Sequence, residues 1–157
     1  MANEFVQNEV NKIFEPKDGE KKDEKSKKMA LACAWIIANY KGVNIKIFDV
    51  GATSALCDYN IIATAQNITQ AKTMIDEIQY SLKRHGAKVL SLEGVTDGDW
   101  MLLDAADVIV HIFQDVARDV FDLDSLWADY PQLEIPQEYY FERSEVKAKT
   151  DPTDNYF

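Results

Sequence analysis

The sequence is poor in cysteine, in long apolar runs and in basic residues. Its two cysteines, Cys33 and Cys57, lie far apart, so the spacing predicts neither a metal-binding cluster nor a disulfide framework. The longest apolar run, 29–38, has ten residues, whereas a membrane-spanning helix needs roughly 20. The amino terminus carries no charged-then-apolar secretion signal. These absences predict a cytoplasmic protein that does not bind membranes.

Basic residues are outnumbered, because 17 Lys and Arg stand against 27 Asp and Glu, a net charge of −10. Binding to nucleic acid through its phosphates depends on cationic side chains, so this balance argues against direct DNA binding. Residues 89–127 contain nine acidic residues and a single basic one, Arg118. This acidic segment is either a solvated face that keeps the protein soluble or a surface that attracts a basic partner. Composition leaves both interpretations open.

The chain length suits one folded domain with additions at both ends. Residues 1–25 are densely charged and are interrupted by Pro16 and Gly19, so we predict a flexible amino-terminal extension. Residues 26–127 carry the periodic apolar patterns of a folded domain. Residues 128–157 are acidic, contain three prolines and predict a loosely attached carboxy-terminal tail.

The apolar patterns predict the order helix–strand–strand–helix–strand–strand–strand–helix. Ser26 is a candidate cap for the first helix. The short connection 105–107 predicts an antiparallel hairpin, and the apolar run 108–113 is typical of a central strand covered on both faces. An amphipathic segment, 116–127, supplies the last helix. We therefore predict an α/β (α+β) fold with a mixed sheet of about five strands flanked by helices.

The best candidate for catalysis is the pair Asp58 and Asn60, which share one face of a predicted strand. Nucleotidyltransferases hold two metal ions with paired carboxylates at such positions. Asn60 is a neutral amide, so the pattern favours a role for Asp58 at the start of the strand. We predict no catalytic residue, no metal site and no cofactor. Metal-dependent nucleotidyl transfer by Asp58 with Asp49 remains as the alternative from the enzyme class.

His111 lies in the middle of an apolar strand, and the sequence places no serine or cysteine nucleophile beside it. A lone histidine in this setting is more often a hydrogen-bonded core residue than a catalytic base. His85 precedes Gly86, where a polar donor favours the last carbonyls of a helix. Neither histidine therefore predicts a catalytic site.

Trp100 is the strongest candidate for a binding residue. In the segment 98–104 one large aromatic and three aliphatic side chains lie between carboxylates. A strand has a period of two, so some of these apolar side chains face outward unless both faces are covered. An exposed Trp with an acidic rim has the composition of a protein-binding hot spot. The residues alone do not separate a binding surface from a strand covered on both faces.

Several motifs in fixed order carry a resemblance to a known family. They are 58–59 with 61–64, then 93–94, 98–104, 107–113 and 121–127. Over about residues 27–127 the chain resembles the ribosomal silencing factor family, also called Iojap-like proteins. The resemblance implies a degenerate nucleotidyltransferase fold that has lost its catalytic carboxylates, in agreement with Asn60.

The resemblance also implies a function without catalysis. Such a protein binds the large ribosomal subunit through ribosomal protein L fourteen and sterically blocks joining of the small subunit, which lowers translation under nutrient limitation. The implied contact residues are Trp100, Met101, Leu102, Leu103, Asp104 and Tyr59. A large-subunit assembly factor that uses the same docking site is the alternative. The expected apolar patch also favours a homodimer when the protein is free.

Overall fold

The computed structural model describes residues 3–140, which form one mixed sheet with helices on both of its faces. The helices are α1 Glu4–Phe14, α2 Lys22–Asn39, α3 Ile68–Arg84, α4 Asp115–Phe121 and α5 Leu123–Leu126. The strands are β1 Val43–Asp49, β2 Tyr59–Ala65, β3 Ser91–Glu93, β4 Trp100–Asp104 and β5 Val108–Gln114. From α2 to α4 the order is the predicted one, and the α+β fold with a five-stranded mixed sheet is confirmed.

The strand order in the sheet is β1-β2-β5-β4-β3. Strands β2 and β5 are parallel, and the other neighbouring pairs are antiparallel. The predicted hairpin between β4 and β5 is confirmed. Its tight turn is stabilised because the Asp104 carboxylate accepts a hydrogen bond of 2.9 Å from the Ala106 backbone N–H, and Ala106 has a left-handed φ of 69°.

One face of the sheet, here called the helix face, is covered by α2 and α3, and α1 packs against these two helices. Alternate strand residues such as Ile61, Leu103 and Val110 are completely buried there against apolar helix residues. Asn67 caps α3 by accepting a hydrogen bond from the Gln70 backbone N–H at 2.8 Å. Most of the apolar core lies between this face and the three helices.

The amino-terminal residues differ from the prediction of a flexible extension. Helix α1 packs against α2, and its Val6 and Val10 are fully buried. The amide of Gln7 donates hydrogen bonds to Glu77 at 2.9 Å and to Ser81 at 2.7 Å, both on α3. Because these partners lie some 70 residues away in sequence, local charge density alone did not indicate that this segment docks.

Ser26 does not cap α2 as predicted, since the helix begins four residues earlier at Lys22. The Ser26 hydroxyl instead donates a hydrogen bond of 2.8 Å to the Asp58 carboxylate, just before β2. This contact connects the first turns of α2 to the start of β2. It involves Asp58, for which the sequence predicted a role at the start of this strand.

The first part of the predicted loose tail is attached to the sheet. The Asp49 N–H donates to the Pro131 carbonyl, and the Leu133 N–H donates to the Ile47 carbonyl, each at 2.8 Å. Residues 131–133 thereby cover the free edge of β1, which would otherwise present unpaired backbone groups. The remainder of the predicted tail, 141–157, lies outside the described residues.

Candidate functional site

Within the described residues, the second face of the sheet is partly covered by α4, α5, residues 127–130 and the loop between β1 and β2, and we call it the open face. Three short rows of side chains cross it because paired strand residues share a face. From β4 through β5 to β2, the rows are Asp104, Ile109 and Asn60; Leu102, His111 and Ile62; and Trp100, Phe113 and Thr64. This face therefore mixes aromatic, polar and aliphatic side chains.

Trp100 lies half-buried on the open face. Its ring centroid is 5.0 Å from that of Phe113 and 4.7 Å from that of Phe121, and its indole N–H donates a hydrogen bond of 3.1 Å to His111 Nδ1. Gly94 has a φ of 76°, and a Cβ there would collide with the Trp100 carbonyl. Glycine at this position therefore allows the backbone of residue 94 to lie against the first residue of β4. The indole is thus held in one orientation with part of its surface exposed.

His111 continues a chain of hydrogen bonds across the open face. Because its Nδ1 accepts from Trp100, its Nε2 carries the proton and donates to the Asn60 carbonyl oxygen at 3.1 Å. The Asn60 amide in turn donates to the Cys57 sulfur at 3.5 Å. Burial lowers the pKa of His111 to about 4, so the ring is neutral at pH 7. The prediction of a hydrogen-bonded core histidine is confirmed.

An ion pair fastens α4 and α5 to the same face. The buried Arg118 guanidinium donates to the two carboxylate oxygens of Asp124 at 2.8 and 2.9 Å, and to Thr64 Oγ1 at 3.0 Å. Lys46 also contacts Asp124 at 2.9 Å. Hydrogen bonds from Arg118, with the nearby Lys46 charge, hold the pKa of Asp124 well below its usual range. The pair fixes the two short helices that flank Trp100.

The predicted helix over 116–127 is two helices, because Asp122 adopts a left-handed φ of 47° and ends α4. Of the apolar residues in α4, Val116 is 76% exposed, Val120 70% and Phe121 51%. Sequence periodicity marked an amphipathic segment here but did not show that its apolar residues face solvent. Together with Trp100 they form an apolar patch larger than the strand alone would give.

The predicted contact residues do not all share this surface. Met101 and Leu103 are completely buried on the helix face, because alternate residues of β4 point to opposite sides. Tyr59 also packs on the helix face. The expectation that all six residues form one contact surface is therefore corrected: Trp100, Leu102 and Asp104 share the open face.

The carboxylates considered for metal-dependent chemistry lie at the end of β1 and just before β2, away from Trp100. Asp58 accepts the hydrogen bond from Ser26, and the Asp49 carboxylate accepts one from the Gly51 N–H at 3.3 Å. Asn60 faces His111 and Cys57 and supplies no negative charge. Within residues 3–140 no group of three or more His, Cys, Asp or Glu side chains is placed to hold a metal ion. What the open face offers is a surface for binding.

No helix within the described residues is both long enough and apolar enough to cross a membrane. The fold and the open face define an α+β domain with a partly exposed, fixed aromatic side chain beside acidic residues. The chain matches the family described as "Ribosomal silencing factor during starvation" over residues 23–156. It therefore belongs to this family of ribosome-associated translation regulators.

Individual relatives agree with the family match. The chain is 36% identical to ribosomal silencing factor RsfS of Haemophilus influenzae over 88 residues, which are 56% of this chain and 86% of the relative. It is 33% identical to the protein of the same name from Chromobacterium violaceum over 91 residues, 58% of this chain and 75% of the relative. A crystal structure of a Chromobacterium violaceum protein superposes with a TM-score of 0.61 at 28% identity, covering 74% of this chain and 95% of that one.

Proposed function

We propose that this protein binds the large ribosomal subunit through ribosomal protein L fourteen and sterically blocks joining of the small subunit when nutrients are limiting. The observation that carries the proposal is the placement of Trp100, Leu102 and Asp104 together on the open face, outside the cover of α1, α2 and α3. An aromatic anchor, an aliphatic neighbour and a carboxylate at the rim make a small docking surface.

The exposed apolar residues of α4 extend this surface. Phe121 contacts the Trp100 ring, and Val116 and Val120 are largely exposed on the same helix. Asp115 and Asp119, on the same helix, are also exposed. Proteins of the ribosome are rich in basic residues because they bind RNA, so acidic residues around an apolar patch speed encounter with such a protein and repel bare RNA. The same face would serve self-association of the free protein as a homodimer.

Repression by this route needs no catalysis. A factor that occupies the face of the large subunit to which the small subunit binds lowers the fraction of joined ribosomes by mass action. The neutral Asn60 and the hydrogen-bonded, neutral His111 fit a binding role, because neither supplies the paired carboxylates that nucleotidyl transfer requires.

Cosedimentation with purified large subunits tests the docking surface. We expect Trp100→Glu and Leu102→Glu each to weaken binding by about 30-fold or more, as loss of a hot-spot side chain does. Tyr80→Glu is the matched control, because Tyr80 is 47% exposed on α3, away from the open face. Circular dichroism and urea denaturation establish that each variant remains folded. Undiminished binding by both open-face variants would exclude this surface.

The timing of binding separates silencing from subunit assembly. A silencing factor leaves mature, free large subunits in a deletion strain unaltered in composition, and only their joining changes. Accumulation of immature large particles would favour the assembly factor, which would use the same docking site. Calorimetry with Mg²⁺ and nucleoside triphosphates addresses the enzyme class, for which clear binding would be required.

A further inference from the structure

A cavity of about 430 Å³ opens on the open face beside Leu102. Leu102 and Ile109 supply its aliphatic wall from β4 and β5, and Trp127 and Tyr130 supply an aromatic wall from the segment after α5. Leu56, which is 84% exposed, stands at its edge. The cavity is thus largely apolar, and its volume is sufficient for one long side chain of a partner.

Three carboxylates lie close to residues that line one end of this cavity, although none of the three is itself part of the lining. Leu102 and Ile109 line the cavity. Asp104 lies on the same face of β4 as Leu102 and is paired in register with Ile109 on β5. Burial raises the pKa of the Cys57 thiol in the cavity wall, and the negative charges of Asp104, Asp58 and Asp107 raise it further. Asp58 directly follows Cys57 in the chain, and its backbone N–H donates a hydrogen bond of 2.8 Å to the Asp107 carbonyl, so all three carboxylate residues lie at the Cys57 end of the cavity.

The lysines and arginines that the structure describes form no salt bridge with these three carboxylates. Across residues 3–140 the salt bridges involve other carboxylates, and both Lys46 and Arg118 pair with Asp124 instead. Asp58 and Asp104 accept hydrogen bonds only from neutral donors, the Ser26 hydroxyl and the Ala106 N–H. Among the described residues, no cation therefore pairs with the carboxylates at this end of the cavity, which favours a negative potential there.

We propose that this cavity receives the side chain of a single arginine from the basic protein partner. The inference rests on the proposed function and specifies the chemistry of the anchor residue. The aliphatic stem of arginine would lie against Leu102 and Ile109, while the guanidinium would stack on Trp127 or Tyr130 and face the carboxylates. Arginine fits better than lysine because its planar group stacks on aromatic rings and binds carboxylates in a fixed geometry.

Two variants test the cavity without altering Trp100. Asp104→Asn keeps the oxygen that accepts from Ala106 but removes the charge, and Ile109→Phe fills the space. We expect each to weaken binding to the large subunit by about tenfold in cosedimentation, and Asp104→Asn also to reduce the salt dependence of binding. Asp76→Asn is the matched control, because Asp76 is exposed on α3, and we expect it to bind as the parent protein does.

The outcomes of this test separate the two proposals. If Trp100→Glu abolishes binding while Asp104→Asn and Ile109→Phe bind normally, docking through Trp100 stands, whereas the arginine cavity and the contribution of Asp104 to the docking surface are overturned. If the parent protein does not bind the large subunit, the proposed function fails, and the cavity is then judged with a small probe.

The probe is L-argininamide titrated into the full chain, with L-citrullinamide as the control, because its neutral ureido group has the shape of the guanidinium without the charge. We expect argininamide to shift the indole N–H signal of Trp127 saturably, and citrullinamide to bind at least about tenfold more weakly because it lacks the cation. Equal binding of the two amides, or no shift with either, would overturn the proposal.

Discussion

The two faces of the sheet differ in what their side chains do. On the helix face, alternate strand residues such as Leu103 and Ile61 are completely buried in one apolar cluster. On the open face, the neighbouring residues Leu102 and Trp100 are half-buried, and a hydrogen-bonded chain runs through His111. The comparison teaches that the helix face is buried in one core, whereas on the open face buried residues such as Phe113 and Ile62 lie beside partly exposed ones. The exposed part is the surface that we propose for binding.

Adjacent leucines on β4 provide the sharpest test of this difference. We expect Leu103→Ala to lower the free energy of unfolding by about 3 kcal/mol, because a fully buried side chain leaves a cavity. Leu102→Ala removes a half-exposed side chain, so we expect a loss below about 1 kcal/mol together with weaker binding to the large subunit. Urea denaturation measures both values. Equal losses would show that the faces are not distinct in stability.

We expect low pH to destabilise the folded protein through protonation of His111, which lies on the open face. Its pKa falls to about 4 in the folded protein from an ordinary value of about 6.5, so between these values the unfolded chain binds more protons. The contribution of the neutral His111 ring to stability is therefore fully present above about pH 6.5. As the pH is lowered to about 4, this contribution is lost and the free energy of unfolding falls by about 3 kcal/mol. Protonation at Nδ1 also removes the acceptor for the Trp100 N–H.

Urea denaturation and Trp fluorescence as functions of pH measure this loss. His85 also has a lowered pKa, caused by burial and the nearby Arg84, and contributes in the same direction. His111→Gln is therefore the control, since it leaves only the contribution of His85. A parent protein whose stability has the same pH dependence as His111→Gln would contradict a role for His111.

We expect the ion pair of Arg118 with Asp124 to contribute less to the free energy of unfolding than a buried core side chain does, but more than an exposed ion pair does. We expect Asp124→Asn to cost about 2 kcal/mol, because it leaves a buried guanidinium without its counter-charge while the carboxylate side is 23% exposed. In the parent protein this contribution is present above the ordinary carboxyl pKa of about 4 and is lost as the pH falls further. Asp129→Asn, an exposed position, is the control in thermal denaturation.

Helix α1 extends the helix face and supplies the smallest expected effect. Val10→Ala should cost about 1–2 kcal/mol, because Val10 is fully buried against the core. Phe5→Ala, at a residue that is 53% exposed, should cost less. Chemical denaturation checks the pair. If Val10→Ala were as stable as the parent protein, the result would support the flexible amino-terminal extension predicted from the sequence.

Much of the fold follows from local patterns. The apolar periods of 2 and 3.6 indicate the strands and helices from α2 to α4, and the short connection before Val108 indicates the hairpin. The docking of α1 could not be predicted in this way, because it depends on Gln7 meeting Glu77 and Ser81 across the tertiary structure.

The candidate site was predictable in part. A strand period of two places Trp100, Leu102 and Asp104 on one side and Met101 with Leu103 on the other, but it does not say which side the helices cover. That choice is made by the packing of α2 and α3, which only the three-dimensional structure shows.

Subunit joining measured with purified components tests the central proposal most directly. Large subunits are incubated with the protein before small subunits are added, and the joined ribosomes are followed by light scattering. We predict that the parent protein and Tyr80→Glu reduce joining to the same extent, whereas Trp100→Glu does not. Normal joining by large subunits that demonstrably carry the parent protein would contradict steric exclusion by the open face.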